Sequence, residues 1–142
     1  MGAWLNLHIK ARAIETLAKK NMVYTSNYAN RGKDAMVRVR ISMSAPQGAT
    51  YDEYWPTVAP GWNDLLGPYK RGEIDDAEYT KRYLGILERN RKKVLEEFRN
   101  LVEKYPNRSV VLLCWCGKGK FCHRRLLAEW LEKNGAQTIK EL

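Results

Sequence analysis

The spacing of apolar residues along the chain changes period several times, and each change marks an element. Residues 5–20 set Ile9, Ala13, Ile14, Leu17 and Ala18 on one stripe at helical spacing, although Leu5-Asn-Leu-His-Ile-Lys also alternates like a strand. Met22-Val-Tyr-Thr is a short apolar run that ends in the turn-formers Ser26 and Asn27, and it predicts a strand entering a loop. Met36 to Met43 alternates cleanly and is rich in β-branched residues, predicting a second strand with Arg38 and Arg40 on one face. Asp75 and Glu78 form a capping-box pair ahead of Tyr79, Tyr83, Ile86 and Leu87, a helical stripe. The basic stretch Arg89-Asn-Arg-Lys-Lys predicts a break, after which Val94, Leu95, Phe98, Leu101, Val102 and Tyr105 continue as a second helix that stops before Pro106. Ser109-Val-Val-Leu-Leu-Cys114 has no polar alternation, the pattern of a strand covered on both faces. From about Cys122 to Lys133 a helix carries Leu126, Leu127, Trp130 and Leu131 and stops at Asn134-Gly135, and Gln137-Thr-Ile adds a short edge strand.

Strand, long helical crossover, buried strand and helix in this order predict an α/β fold: a small, mainly parallel sheet with helices on both faces, in a three-layer Rossmann-like arrangement. Residues 45–70 interrupt the pattern with Pro46, Gly48, Tyr51, Tyr54, Trp55, Pro56, Pro60, Trp62 and Pro68. A stretch so long and so aromatic is expected to pack over a sheet edge as a lid rather than to hang as a linker.

The length of 142 residues suits a single domain spanning 1–142, with 1–21 as a basic helical addition to a core over 22–135. No apolar run approaches the ~20 residues of a membrane span, and Asn6, His8 and Lys10 break any secretory leader, so no membrane partner and a cytoplasmic location are expected. The net charge is +9, and residues 1–40 alone hold eight Lys or Arg against Glu15 and Asp34. That surplus suits a polyanion, whether nucleic acid, a nucleotide or a phosphorylated metabolite, and equally a solvated basic surface. Three cysteines, an odd count, all fall between 114 and 122, which excludes a spread disulfide framework and directs attention to a metal, a reactive thiol or a local redox pair.

The segment Cys114 to Arg125 concentrates chemistry. It leaves a strand end, passes Gly117 and Gly119, and enters a helix N-terminus amid Lys118, Lys120, Arg124 and Arg125. Orphan N–H groups, the positive end of a helix dipole and cations together favour an anion. A thiolate there would have a lowered pKa. The residue six beyond Cys114 is Lys120 and not the arginine of a Cys-x5-Arg phosphate cradle, so the phosphatase pattern fails as written. Cys114, Cys116, Cys122 and His123 supply four ligands for zinc, but the spacing lacks a Cys-x2-Cys knuckle. A third reading pairs or packs Cys114 against Cys122 and leaves the cysteines as small buried residues.

Tyr24-Thr-Ser26, Arg40-Ile-Ser42 before Pro46, Ala59-Pro60, Leu65-Leu-Gly-Pro-Tyr-Lys70, Tyr79, Tyr83, Leu112-Leu-Cys114, Phe121-Cys-His-Arg124 and Leu127-Ala-Glu-Trp130 resemble the domain of unknown function 488 family, over about residues 22–135. The resemblance implies a compact α/β fold with a catalytic or ligand-binding pocket. It carries Cys114, Cys122, His123 and Arg124 over as signature residues, and Thr25, Ser26 and Ser42 as the ends of the first two strands. Cys116 departs from the pattern, which commonly has an acidic residue there, so zinc would be particular to this chain. The reading that follows is an anion- or nucleotide-binding pocket at the strand ends, in an enzyme for a phosphorylated or nucleoside-like substrate. In it Cys114 is the nucleophile and His123 the general acid or base, while Arg124, Lys120, Thr25, Ser26 and Ser42 hold the anion. No cofactor is expected, with zinc on Cys114, Cys116, Cys122 and His123 as the alternative. A non-enzymatic nucleic-acid-binding module is the other alternative, and an exposed Trp55 or Trp62 would favour it.

Overall fold

A computed structural model describes residues 22–30, 32, 35–116, 121–138 and 141–142. The strands are β1 (Met22–Asn27), β2 (Val37–Arg40), β3 (Glu53–Tyr54), β4 (Val110–Cys114) and β5 (Gln137–Thr138). They form one parallel sheet in the order β3-β2-β4-β1-β5. β4 takes the central position that its uninterrupted apolar run requires. Val111 faces Tyr24 of β1 and Arg38 of β2 across the ladder, Leu113 faces Ser26 and Arg40, and all five β4 residues are buried.

The helices are a short α1 (Gly67–Lys70), α2 (Asp76–Arg89), α3 (Arg91–Lys104) and α4 (His123–Lys133). The connection from β3 through α2 and α3 to β4 and the connection through α4 to β5 both cross the sheet in the same direction. Right-handed crossovers therefore put all three long helices on one face, so among the described residues the parallel α/β sheet has two layers where three, with helices on both faces, were expected. There Val23, Val37, Val39, Val110 and Leu112 meet Tyr83, Leu87, Phe98, Leu127 and Leu131 in one buried cluster. The helix expected over 5–20 lies outside the described residues. Among the described residues no helix is long and apolar enough to cross a membrane.

Local chemistry explains most boundaries. Asp75 Oδ1 accepts the Glu78 N–H at 2.8 Å, whereas the Glu78 carboxylate turns to Arg82 at 2.9 Å, so only half of the expected capping box forms. Asn90 ends α2 and begins α3, where the basic break was expected. The predicted strand over 36–43 is shorter than its alternation. The ladder stops at Arg40, Ile41 N–H still donates to Leu113 O at 3.1 Å, and then the chain bends as Arg40 Nε donates to Ser42 O at 2.8 Å. The aromatic stretch is more regular than a lid loop. It adds β3 beside β2, makes a 3₁₀ turn at Pro56–Val58 and a wide helical turn at Trp62–Leu66, and runs into α1.

α4 ends in a Schellman turn, with Ala136 N–H donating to Leu131 O at 2.9 Å and Gly135 N–H to Glu132 O at 3.1 Å. Gly135 holds φ at 104°, which a side chain resists, and this turn sends the chain back to pair β5 with β1. Gly135→Ala is expected to destabilise the protein by about 1–2 kcal/mol, seen as a lower midpoint with an unchanged slope in urea unfolding.

Candidate functional site

β2 connects outward to β3 while its neighbour β4 connects the other way to β5, so the sheet has a switch point between β2 and β4. A crevice opens beyond the carboxyl ends of two such strands. Ser42 and Met43 enter it from β2, Cys114 and Cys116 from β4, and Cys122 and His123 from the start of α4.

The floor is sulfur. The Sγ atoms of Cys114, Cys116 and Cys122 lie within 4.8 Å of one another, with Cys114 and Cys122 at 2.6 Å, and all three are unpaired thiols. Cys114 and Cys122 are buried and Cys116 is half-buried. The three titrate as a set. Contacts from Cys114 and Cys122 draw the Cys116 thiol far below the ordinary range. The Cys116 contact, then burial, raises Cys114 against the Cys122 contact, and the Cys114 and Cys116 contacts, then burial, raise Cys122. Such a cluster could bind a metal ion.

His123 is 5% exposed, and burial lowers its pKa to about 4, so its ring is neutral at physiological pH. Its Nε2 sits 2.7 Å from the Ile41 carbonyl, which can only accept, so Nε2 carries the proton. Nδ1 is then a bare lone pair, 3.5 Å from Cys122 Sγ. The Tyr83 ring meets the imidazole edge-on at 5.5 Å.

Arg124 has no solvent exposure. Its Nη1 donates to Cys114 Sγ at 2.9 Å and to Cys116 O at 2.7 Å, and its Nε to Glu141 Oε1 at 2.7 Å. The guanidinium thus ties the end of β4 to α4 and to Glu141, beside β1.

Above the floor is a cavity of about 410 Å³ walled by Pro60, Trp62, Leu66, Tyr69, Tyr79, Trp115 and Phe121. Tyr69, Tyr79 and Phe121 pack together with ring centroids 5.0–5.6 Å apart. Trp115 is held by Nε1–H donation to Ser44 O at 2.7 Å and by the edge of Tyr28 at 6.1 Å. The roof bends at Gly67, where any Cβ would lie 2.6 Å from the Trp62 carbonyl oxygen, so only glycine closes this turn.

The expected site residues separate into two groups. Cys114, Cys116, Cys122, His123 and Ser42 converge on the cavity. Ser42 Oγ donates to Ser44 O at 2.6 Å and lies 2.5 Å from Tyr28 Oη. Arg124, expected to hold a ligand's anion, does not line the cavity, because its donors face Glu141 and the sulfur floor. Ser26 Oγ donates to Asn30 O, and Thr25 Oγ1 donates to Glu141 at 3.5 Å, so both hydroxyls serve the scaffold. Lys120 lies outside the described residues. Of the two tryptophans that were to discriminate the readings, Trp55 is buried, stacked on Phe98 at 6.2 Å, and Trp62 is 51% exposed on the cavity wall. Sequence reasoning placed Pro60, Trp62, Leu66 and Tyr69 in a stretch expected as a lid and Tyr79 on a helical stripe without joining them into one cavity, and it missed Glu141, which carries no local signal.

Removing one partner of a buried ion pair leaves the other charge poorly compensated. Glu141→Gln should therefore cost about 3 kcal/mol of stability, measured by chemical denaturation, whereas Glu132→Gln on the exposed side of α4 should change little.

A family model described as the active DUF488-N3 subclade matches residues 22–135. No curated protein and no solved structure matches the chain. The match takes in every described strand from β1 to β4, all four helices and the whole sulfur floor. The chain belongs to the DUF488-N3a family.

Proposed function

We propose that the cavity receives a nucleoside-like ligand, its flat base against the aromatic walls and its sugar or phosphate end over the sulfur floor, and that the protein acts on it there. One observation carries this reading: a 410 Å³ cavity with aromatic walls and a few convergent polar groups at its base. Ligand sites have this composition, apolar for affinity and sparingly polar for orientation. Cys114 and His123 are the proposed reactive pair. The Arg124 guanidinium donor at 2.9 Å opposes the Cys116 contact and burial that raise the Cys114 thiol, so Cys114 would attack as a thiol that gives up its proton. The bare Nδ1 of His123 is a lone pair on the sulfur side that can take one. Lys70 is the charged side chain among the described wall residues, so it is the group a ligand phosphate would meet.

Base–aromatic stacking contributes about 1–3 kcal/mol per base. Titration calorimetry against nucleosides and mononucleotides should find at least one saturable ligand, and Trp62→Ala should weaken it by about 5–100-fold. No binding by any member of the panel would sink the reading.

A second reading is favoured by the rim. Met43, Trp62 and Trp115 are each more than half exposed at the cavity, on a chain of net charge +9. Such a rim suits a base presented from a single strand. Affinity for an oligonucleotide would then fall steeply with salt as phosphate contacts release counterions. No detectable binding at ~50 mM salt would leave the rim without a strand.

A further inference from the structure

We infer that Cys114, Cys116, Cys122 and His123 form a four-ligand site for a thiophilic divalent metal, with zinc the natural occupant. Along the chain these residues have poor spacing for zinc, since Cys122 and His123 are adjacent. Folding removes that objection. Cys122 stands in extended backbone just before α4, at φ −159°, while His123 begins the helix, and in this arrangement the two side chains meet, Cys122 Sγ lying near His123 Nδ1.

The separations fit. With bond lengths of about 2.3 Å to sulfur and 2.0 Å to nitrogen at tetrahedral angles, two sulfurs on one zinc lie about 3.8 Å apart, and a sulfur and a nitrogen about 3.5 Å. Cys122 Sγ and His123 Nδ1 are 3.5 Å apart. The three sulfurs lie within 4.8 Å of one another and His123 Nδ1 joins that set through Cys122, so the imidazole must swing further over the other two sulfurs. The one pair that is too close, Cys114 and Cys122 at 2.6 Å, must open. An opening of about 1 Å suffices, within reach of small side-chain rotations.

The surroundings are those of a ligand set. A metal-bound histidine donates its other ring N–H to a carbonyl or carboxylate, which fixes the tautomer. His123 does this with Ile41 O at 2.7 Å and keeps Nδ1 bare on the sulfur side. Three thiolates on a dication leave one net negative charge, and the buried Arg124 guanidinium donates to one of those sulfurs at 2.9 Å. Coordination also deprotonates each thiol outright. Cys116, half-buried on the cavity wall, would then present an anionic sulfur to whatever the cavity holds. Zinc and thiolate are matched in softness, while calcium and magnesium are not.

The test uses no nucleoside, so failure to bind a nucleoside and failure to bind metal are read apart. A bound metal would leave the cavity its ligand but take Cys114 and His123 Nδ1 as ligands in place of a reactive pair. Protein purified without chelators under mild reductant should contain one zinc per chain by mass spectrometry of the metal. Its thiols should resist a disulfide reagent until a mercurial displaces the ion. Replacement by cobalt should give the intense absorption of tetrahedral thiolate–cobalt. Cys116→Ser, at the least buried ligand, should retain the fold, weaken zinc by tenfold or more and reduce the sulfur-to-cobalt charge-transfer intensity by about a third, from three thiolates to two. His123→Gln should keep the charge-transfer intensity and shift the cobalt bands. Folded, reduced wild-type protein that takes up no cobalt at a stoichiometric dose would overturn the inference. So would a Cys114–Cys122 disulfide in metal-free protein that is otherwise native.

Discussion

β4 cannot lie anywhere but in the middle of the sheet. Val110, Val111, Leu112, Leu113 and Cys114 alternate sides without alternating polarity, so both faces of the strand must be kept from water, and all five residues are buried. Once β4 is central, β1 and β2 take its two edges, and the helices that lead into and out of it fall on one face by the handedness of their crossovers. The chain then leaves β4 between strands whose connections diverge. That position, and not any motif, is why Cys114 opens into a crevice.

The fold was legible where patterning was long or unambiguous. β4, α2, α3 and α4 follow from periodicity, and β5 from three residues after a helix stop. Two elements were not legible, for physical reasons. The alternation over 36–43 continues past the end of β2 because side-chain polarity does not record that Arg40 folds back onto Ser42 O and over the Tyr54 ring at 4.1 Å. β3 is two residues whose place is set by ladder bonds to β2, such as Trp55 N–H to Arg40 O at 2.9 Å, and backbone bonds leave no trace in side-chain type.

The site was legible by location and less so by orientation. Cys114, Cys122 and His123 converge as their strand-end and helix-start positions imply. Arg124 shows the limit of that reasoning. Its position on the first turn of α4 suits an anion site, but a helix residue one step beyond His123 points some 100° around the axis, here inward toward Glu141. Glu141 lies 17 residues along the chain and becomes its neighbour only because Glu141 and Leu142 lie beside β1, where Leu142 N–H donates to Thr25 O at 2.9 Å. A contact made by the fold's closure cannot be read from either residue alone.

The polar groups of the cavity share one property that bears on what they can do. Each has one side bonded to the scaffold. His123 gives Nε2–H to Ile41, Ser42 gives its hydroxyl to Ser44, and Trp115 gives Nε1–H to Ser44. The Cys114 sulfur likewise accepts from Arg124. A side chain fixed in this way need not be reoriented when a ligand arrives, so the ordering cost is met when the protein folds. The same bonds explain why so polar a floor survives under apolar walls. An unpartnered imidazole or hydroxyl there would cost about 1–3 kcal/mol, whereas one committed donor leaves only the lone pairs to face the cavity. The floor is therefore biased toward accepting: a bare imidazole nitrogen and three sulfurs, one of them held by the Arg124 guanidinium. Such a surface seeks a partner that is electron-poor, whether a metal ion, a proton or an electrophilic carbon.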